Sequence, residues 1–126
     1  LIVEDDDNVL SFIEQALRSQ NFSVTAFSNP TSALDYLKKE NETVEVVVSD
    51  IIMPELNGRE LEEKTKELGF DVPFIFISGY TENVISHHGI LDENIEFIQK
   101  PFTVEKLVNK IQSTLKNHKK DLHSEE

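Results

Sequence analysis

A chain of 126 residues, 38% hydrophobic and 29% charged, has the size and composition of one folded domain. It has no cysteine, which excludes disulfides and cysteine-ligated metals, and no apolar run long enough for a membrane span. Its 24 acidic and 12 basic residues give a net charge of −12. Because nucleic acid carries the same sign of charge, we expect a cation or a basic partner instead. These features predict a cytoplasmic domain that makes no membrane contact.

The first half of the chain alternates strand-like and helix-like segments. Residues 1–3 form an apolar run that predicts a strand, and a strand at the very first residues leads us to expect a longer parent chain. Apolar residues at spacings of three and four over 9–17 predict an amphipathic helix with Asp7 as its N-cap. Alternation over 22–27 predicts a second strand, and an Asn-Pro pair at 29–30 predicts the start of a second helix.

The second half continues this alternation. A valine-rich run over 44–50 predicts a buried third strand, and Gly69 is the expected stop of the helix that follows the 51–58 loop. The remaining predicted elements are a fourth strand at 73–77, a short helix at 81–88, a fifth strand at 95–98 and a last helix at 103–115. Residues 117–126 lack apolar periodicity, so we expect a disordered polar tail after a domain that spans 1–116.

Regular alternation of apolar strands with helices predicts an α/β domain in which helices cover both faces of a parallel sheet. Ligand sites in such sheets lie beyond the carboxyl ends of the strands. There the sequence places Glu4 and Asp5 after the first strand, Asp50 after the third, Ser78 after the fourth and Lys100 after the fifth. Three carboxylates at one edge repel one another unless a cation neutralises them, and oxygen ligands favour Mg²⁺. A lysine and a hydroxyl nearby can bind phosphoryl oxygens, so the set predicts a phosphoryl-group site.

Four segments, IVEDD, SDIIMPELNG, FISGY and FIQKPF, resemble in their order and spacing the receiver domain of two-component response regulators. The resemblance covers residues 1 to about 115. It implies the flavodoxin-like fold, a doubly wound five-stranded parallel sheet in the order 2-1-3-4-5. It also implies a role in phosphorelay signal transduction, in which the domain catalyses its own phosphorylation and dephosphorylation.

The resemblance assigns distinct roles to the acidic residues. Asp50 accepts a phosphoryl group from a phosphohistidine and becomes an aspartyl phosphate. Asp5 binds Mg²⁺, for which Mn²⁺ can substitute, Glu4 assists through the ion or its waters, and the carbonyl of Ile52 supplies a further ligand. Many receivers have aspartate where this chain has the longer Glu4. Ile52 and Tyr80 are bulky and flank the path of an attacking water, so we expect them to slow hydrolysis of the aspartyl phosphate.

The resemblance also assigns the phosphoryl contacts and a switch. Ser78 and Lys100 bind phosphoryl oxygens, and the peptide bond between Lys100 and Pro101 is expected to be cis. Phe97 occupies the aromatic switch position, which swings inward when the Ser78 hydroxyl moves toward the phosphate. Phosphorylation is therefore expected to change the face formed by the predicted 81–88 helix, the fifth strand and the last helix, through which the domain can also form a weak homodimer.

The stretch ISGYTENVISHHGILDENIEFIQKPF is similar in particular to the carboxy-terminal receivers of hybrid sensor histidine kinases. The resemblance implies that the parent chain is such a kinase, which can be anchored in a membrane. It implies a histidine kinase core or a histidine phosphotransfer protein as the partner. A stand-alone response regulator fits the same sequence.

Three other functions fit parts of this pattern. An aspartate-based phosphatase needs a second aspartate two residues after the nucleophile, where this chain has Ile52. A flavodoxin-type cofactor carrier needs a phosphate-binding loop after the first strand, where this chain has four acids. A receiver that only docks its partner, without phosphorylation, is disfavoured because all the expected site residues are present. Adjacent His87 and His88 point in different directions on a helix, so they are interpreted as surface residues.

Overall fold

The computed structural model describes residues 1–40, 43–79 and 96–124. These residues contain five strands and four helices. The strands are β1 (Ile2–Val3), β2 (Ala26–Phe27), β3 (Val47–Asp50), β4 (Phe74–Ser78) and β5 (Glu96–Gln99). The helices are α1 (Asp7–Ser19), α2 (Pro30–Glu40), α3 (Gly58–Glu67) and α4 (Val104–Ser124). The helix that the sequence predicts over 81–88 lies outside the described residues.

All five strands are parallel and form one sheet in the order β2-β1-β3-β4-β5. The register aligns Ile2 with Ala26 on one side and with Val48 on the other. The predicted class and the strand order implied by the resemblance are both confirmed. The order places the ends of β1, β3, β4 and β5 side by side, which is the edge where the predicted site residues lie.

The sheet separates two apolar layers because alternate residues of each central strand face opposite sides. On one side, Phe74 and Phe76 of β4 pack with the buried residues Ala33 of α2 and Leu61 of α3. On the other side, Ile75 and Ile77 pack with buried residues of α1 and α4, namely Ile13, Leu17, Leu107 and Ile111. Both faces of the sheet are therefore covered, and the ends of its strands are where polar side chains can gather.

Two strands are shorter than the sequence predicts. Alternation predicted a second strand over 22–27, but β2 contains only Ala26–Phe27, and β3 begins at Val47 rather than at residue 44. Phe22 and Val24 are partly buried and pack against the apolar layer formed with α1 and α4. Hydrophobic alternation reports burial, whereas a strand also needs a paired neighbour, so the predicted boundaries are too wide.

The helix ends follow local hydrogen bonds. The side chain of Asp6, rather than the predicted Asp7, caps α1 by accepting the backbone N–H groups of Asn8 and Val9. Asn57 and Glu60 form a reciprocal capping box at the start of α3. Gly69 follows α3 with a φ of 90°, a left-handed conformation that glycine adopts without strain. The predicted stop at Gly69 is thus confirmed, and the predicted cap of α1 is wrong by one residue.

The last helix is longer than expected. The sequence predicts a helix ending at residue 115 and a disordered tail over 117–126, but the backbone of α4 is helical to Ser124. The predicted end of this helix at residue 115 is therefore too early, whereas the domain boundary at 116 and the disorder of the tail stay predictions. A helix can extend beyond its buried face where the residues, such as the lysines of this segment, are good helix formers. Among the described residues, no helix is both long enough and apolar enough to cross a membrane.

Candidate functional site

Three acidic side chains meet at the carboxyl ends of neighbouring strands. Glu4 directly follows β1, and Asp50 is the last residue of β3, which pairs with β1. One carboxylate oxygen from each of Glu4, Asp5 and Asp50 lies within 4.8 Å of the others. Glu4 and Asp50 are buried, whereas Asp5 is exposed. The structure thus brings together the three carboxylates that the sequence placed at this edge.

Lys100 brings a positive charge to these carboxylates. Its backbone N–H donates to the carbonyl of Ser78 at 2.7 Å, which holds the end of β5 beside the end of β4. Its Nζ lies 3.1 Å from each of the two carboxylate oxygens of Glu4 and 3.6 Å from Oδ2 of Asp50. The peptide bond between Lys100 and Pro101 is cis, as the resemblance implied.

The negative charge at this site exceeds the positive charge. Burial raises the pKa of Asp50 from 3.8 to about 7, with further contributions from the charge of Glu4, from a hydrogen bond to Asp5 and from the charge of Asp5. The charge of Lys100 acts in the opposite direction but does not cancel these effects. A buried carboxylate that resists ionisation in this way would be stabilised by a bound cation.

The backbone around Asp50 is fixed by two residues that were not singled out from the sequence. The hydroxyl of buried Ser49 donates to the Asp50 carbonyl at 2.9 Å. The N–H of Gly58 donates to the Ile51 carbonyl at 2.8 Å, and a Cβ on Gly58 would lie only 2.5 Å from the Asp50 carbonyl oxygen. Only glycine therefore fits there, and the Asn-Gly pair at 57–58 is the sequence signal that could have revealed it.

The remaining predicted site residues lie on the strands and loops at this edge. Ser78 is buried at the end of β4. Phe97 lies in β5, is partly buried, and packs against the apolar layer that contains Phe76. Ile52 is 42% exposed in the loop after Asp50. Tyr80 lies outside the described residues.

The donor set fits Mg²⁺ in its chemistry. Mg²⁺ prefers oxygen ligands, and carboxylates are common among them. One oxygen each from Glu4, Asp5 and Asp50 lies within 4.8 Å of the others, so small side-chain movements could bring all three to one ion. The exposure of Asp5 leaves a path for water, which Mg²⁺ usually retains as a ligand. These residues could therefore hold a divalent cation next to Asp50.

A family model described as the response regulator receiver domain matches residues 1–112. Among curated proteins, the chain is 32% identical to the sensor kinase CckA of Brucella abortus and 31% identical to the response regulator receiver protein CpdR of the same organism, in both cases over 91% of this chain. It is also 34% identical to the response regulator protein TodT of Pseudomonas putida. The chain spans 12% of the length of the sensor kinase, 94% of that of CpdR and half of that of TodT.

Solved structures show the same fold. A response regulator receiver domain protein from Clostridium thermocellum aligns with a TM-score of 0.82 at 23% identity, covering 96% of this chain and 95% of that one. The receiver domain of the hybrid histidine kinase CckA aligns with a TM-score of 0.73 at 29% identity, covering 90% of this chain and 95% of that one. Similarity in sequence and in structure thus extends over most of the domain.

Proposed function

Because the chain belongs to the response regulator receiver domain family, a component of two-component signalling, we propose that it is a phosphorylation-dependent switch with Asp50 as its phosphoacceptor. The observation that carries this proposal is the position of Asp50, a buried carboxylate with two further carboxylates and the Lys100 ammonium around it. The donor is a phosphohistidine on a histidine kinase core or a histidine phosphotransfer protein. The domain works in the cytoplasm and has no direct contact with nucleic acid.

The proposed reaction is an in-line phosphoryl transfer. A carboxylate oxygen of Asp50 attacks the phosphorus, a new P–O bond forms and the P–N bond to the donor imidazole breaks. The electron pair of that bond returns to the imidazole nitrogen, and the product is an aspartyl phosphate. Asp50 must be ionised to attack, so a cation that favours its charged form promotes the step. Lys100 and Ser78 hold phosphoryl oxygens and orient the group, since such transfers depend mainly on positioning and charge stabilisation.

Glu4, Asp5 and Asp50, together with the carbonyl of Ile52, would hold Mg²⁺ or Mn²⁺ in this site. When bound, the ion neutralises charge on the phosphoryl oxygens and on the clustered carboxylates. The support from this chain is the short separation of the three carboxylates and the raised pKa of Asp50, which a cation would lower. The candidate ligand atoms are all oxygens, with no nitrogen or sulfur among them, and such a set favours a hard cation.

Phosphorylation is proposed to act on the surface through Ser78 and Phe97. Ser78 ends the strand next to Asp50, and Phe97 is aligned with Phe76 across the β4–β5 pair. Movement of the Ser78 hydroxyl toward the phosphoryl group would leave room for the Phe97 ring to turn inward. The face containing β5 and α4 then changes, and this face is also our proposal for a weak homodimer contact.

We further propose that the parent chain is a hybrid sensor histidine kinase with this domain as its terminal receiver. The support is the similarity to the sensor kinase CckA, of which the chain spans 12%, and to the CckA receiver in three dimensions. The alternative is a stand-alone regulator, since the chain spans 94% of CpdR. Sequencing the reading frame upstream of the Leu1 codon distinguishes the two. A kinase core in the same frame supports the hybrid, and a start codon just upstream contradicts it.

Intact-mass measurement tests the phosphoacceptor directly. After incubation with a small phosphodonor and Mg²⁺, we expect a gain of about 80 Da, the mass of one phosphoryl group. The gain should be absent from Asp50→Asn and from a sample treated with a chelator. If neither the small donor nor a phosphorylated kinase core labels the folded domain, a docking-only receiver replaces this proposal.

A further inference from the structure

The ring of Phe76 in β4 is held on two sides by the first turn of α3. A Cβ on Gly58 would lie 3.0 Å and 3.1 Å from two carbons of this ring, so the glycine backbone packs directly against it. The guanidinium carbon of Arg59 lies 5.9 Å from the centre of the same ring, within the range of a cation–π interaction. Phe76 is buried, and its ring also stacks on that of Phe74. The Phe76 ring therefore has little freedom to move.

The guanidinium of Arg59 is itself held in place. Its Nε lies 3.3 Å from Oε1 of Glu62, one turn further along α3, and both side chains are mostly buried. The capping box of Asn57 and Glu60 fixes the first turn, from which Arg59 projects. A guanidinium with little access to water is attracted more strongly to an aromatic ring than one in solvent. Arg59 thus presents a fixed positive charge to the face of the sheet that α3 covers.

Phe97 lies beside this anchored ring. It is aligned with Phe76 across the β4–β5 pair and packs against the apolar layer that contains Phe76. Neighbouring strands are about 4.8 Å apart, so the side chains of aligned residues on one face lie within contact range of each other. An inward rotation of the Phe97 ring therefore brings it toward Phe76, the ring that Arg59 covers.

We propose that Arg59 is a positioning residue for the Phe97 switch, because its guanidinium attracts the Phe97 ring more strongly in the inward position than in the outward one. A side chain shifts a two-state equilibrium only if it interacts differently with the two states. The inward ring gains contact with the mostly buried cation, and the outward ring loses it. Arg59 thus raises the fraction of molecules that switch when Asp50 is phosphorylated, an inference that rests on the proposed function of this site.

Fluorine NMR on the domain labelled with 4-fluorophenylalanine tests this inference, with the Phe97 resonance assigned from Phe97→Leu. In the wild-type protein, this resonance should move from an outward to an inward position when a small phosphodonor and Mg²⁺ are added. Arg59→Met should lower the inward-to-outward ratio of the phosphorylated domain by about fivefold, the size expected for loss of a cation–π contact.

Two control variants separate positioning from a structural role. Arg59→Lys, which keeps a positive charge, should restore much of the inward-to-outward ratio. Lys64→Met, which removes a charge from the exposed side of the same helix, should leave the ratio unchanged. A residue that only stabilised the fold would change the free energy of unfolding but not this ratio.

A second measurement needs no variant of Arg59. The Nε–H proton of Arg59 should shift to lower frequency on phosphorylation, because an aromatic ring shields a proton that lies over its face. This shift should be absent from Phe97→Leu.

The outcomes distinguish this inference from the proposed function. Equal inward-to-outward ratios in the wild type and Arg59→Met, or an Arg59 shift that persists in Phe97→Leu, overturn the inference. Either result leaves the phosphoacceptor proposal intact if the gain of about 80 Da is seen. A Phe97 resonance that stays in place in the phosphorylated wild-type domain overturns this inference and the proposed switch together. Absence of phosphorylation overturns the phosphoacceptor proposal and this inference with it.

Discussion

Two lysine–glutamate ion pairs lie at opposite ends of β5, Lys110–Glu96 and Lys100–Glu4, and they differ in burial. Lys110 of α4 reaches Glu96 at the amino end of β5 with 2.6 Å between Nζ and Oε2, and the two side chains are 32% and 40% exposed. Lys100, just after the carboxyl end of β5, pairs with the fully buried Glu4. The shorter contact is the more exposed one.

The difference shows that distance alone does not decide what an ion pair contributes. Water screens the Lys110–Glu96 pair and can solvate either partner if the other is removed. Lys100 pairs with both Glu4 and Asp50, which are buried, so removal of its ammonium group leaves two buried carboxylates without a positive partner. We therefore expect substitutions at the two lysines to have very different consequences.

The largest difference between the two ion pairs should appear in stability when each lysine is removed in turn. In metal-free buffer near neutral pH, Lys100→Met should lower the free energy of unfolding by at least about 2 kcal/mol, a value reduced from that of a fully buried pair because the lysine is partly exposed. Lys110→Met should lower it by less than about 1 kcal/mol. Urea denaturation, with the m-value checked for each variant, provides both numbers. Equal losses at the two positions would contradict the comparison.

The pH dependence of the free energy of unfolding should reveal the excess negative charge beside the Lys100–Glu4 pair. Because the folded-state pKa of Asp50 is raised to about 7 from 3.8, the folded domain binds this proton more tightly than the unfolded chain. The stabilisation that comes from protonated Asp50 is fully present below pH 3.8 and is lost as the pH rises through about 7. Asp50→Asn should thus stabilise the metal-free domain by about 2 kcal/mol at mildly alkaline pH, and by less in acid. Urea titrations at several pH values measure this, and a constant difference between the two proteins would be the contrary result.

Ile52 and Tyr80 should affect the rate at which the aspartyl phosphate is hydrolysed rather than the stability of the domain. Ile52 is 42% exposed beside Asp50, and Tyr80 is two residues after Ser78 in sequence. Ile52→Asn combined with Tyr80→Glu should speed loss of the aspartyl phosphate by about tenfold, because smaller or polar side chains admit and orient water. The decay of the phosphorylated mass over time measures this.

A matched control is available for that experiment. Leu68 at the end of α3 is a similarly exposed apolar residue, at 40%. Leu68→Asn should leave the decay rate unchanged. If the double variant at 52 and 80 decays as slowly as the Leu68 variant, the proposed shielding of the phosphate is excluded.

The sequence predicted where the charged residues gather but not how they pair. Because ligand sites lie beyond the carboxyl ends of parallel strands, the positions of Glu4, Asp50 and Lys100 could be assigned to one edge from the alternation alone. The strand order needed the family resemblance, since alternation defines only the class. The choice of Glu4 over Asp50 by the ammonium depends on side-chain length and burial in three dimensions. The fit of Gly58 against the Asp50 carbonyl, likewise, is a contact between segments that no local pattern encodes.

The smallest expected effect is the coupling energy between Lys110 and Glu96, the exposed pair. A double-mutant cycle with Glu96→Gln and Lys110→Met should give a coupling energy below about 1 kcal/mol, which falls further as added salt screens the charges. The matching cycle with Glu4→Gln and Lys100→Met should give a larger coupling that salt changes little, because the carboxylate of Glu4 is inaccessible to solvent ions. Denaturation midpoints at low and high salt measure both. Equal salt dependence of the two coupling energies would mean that burial does not distinguish these pairs.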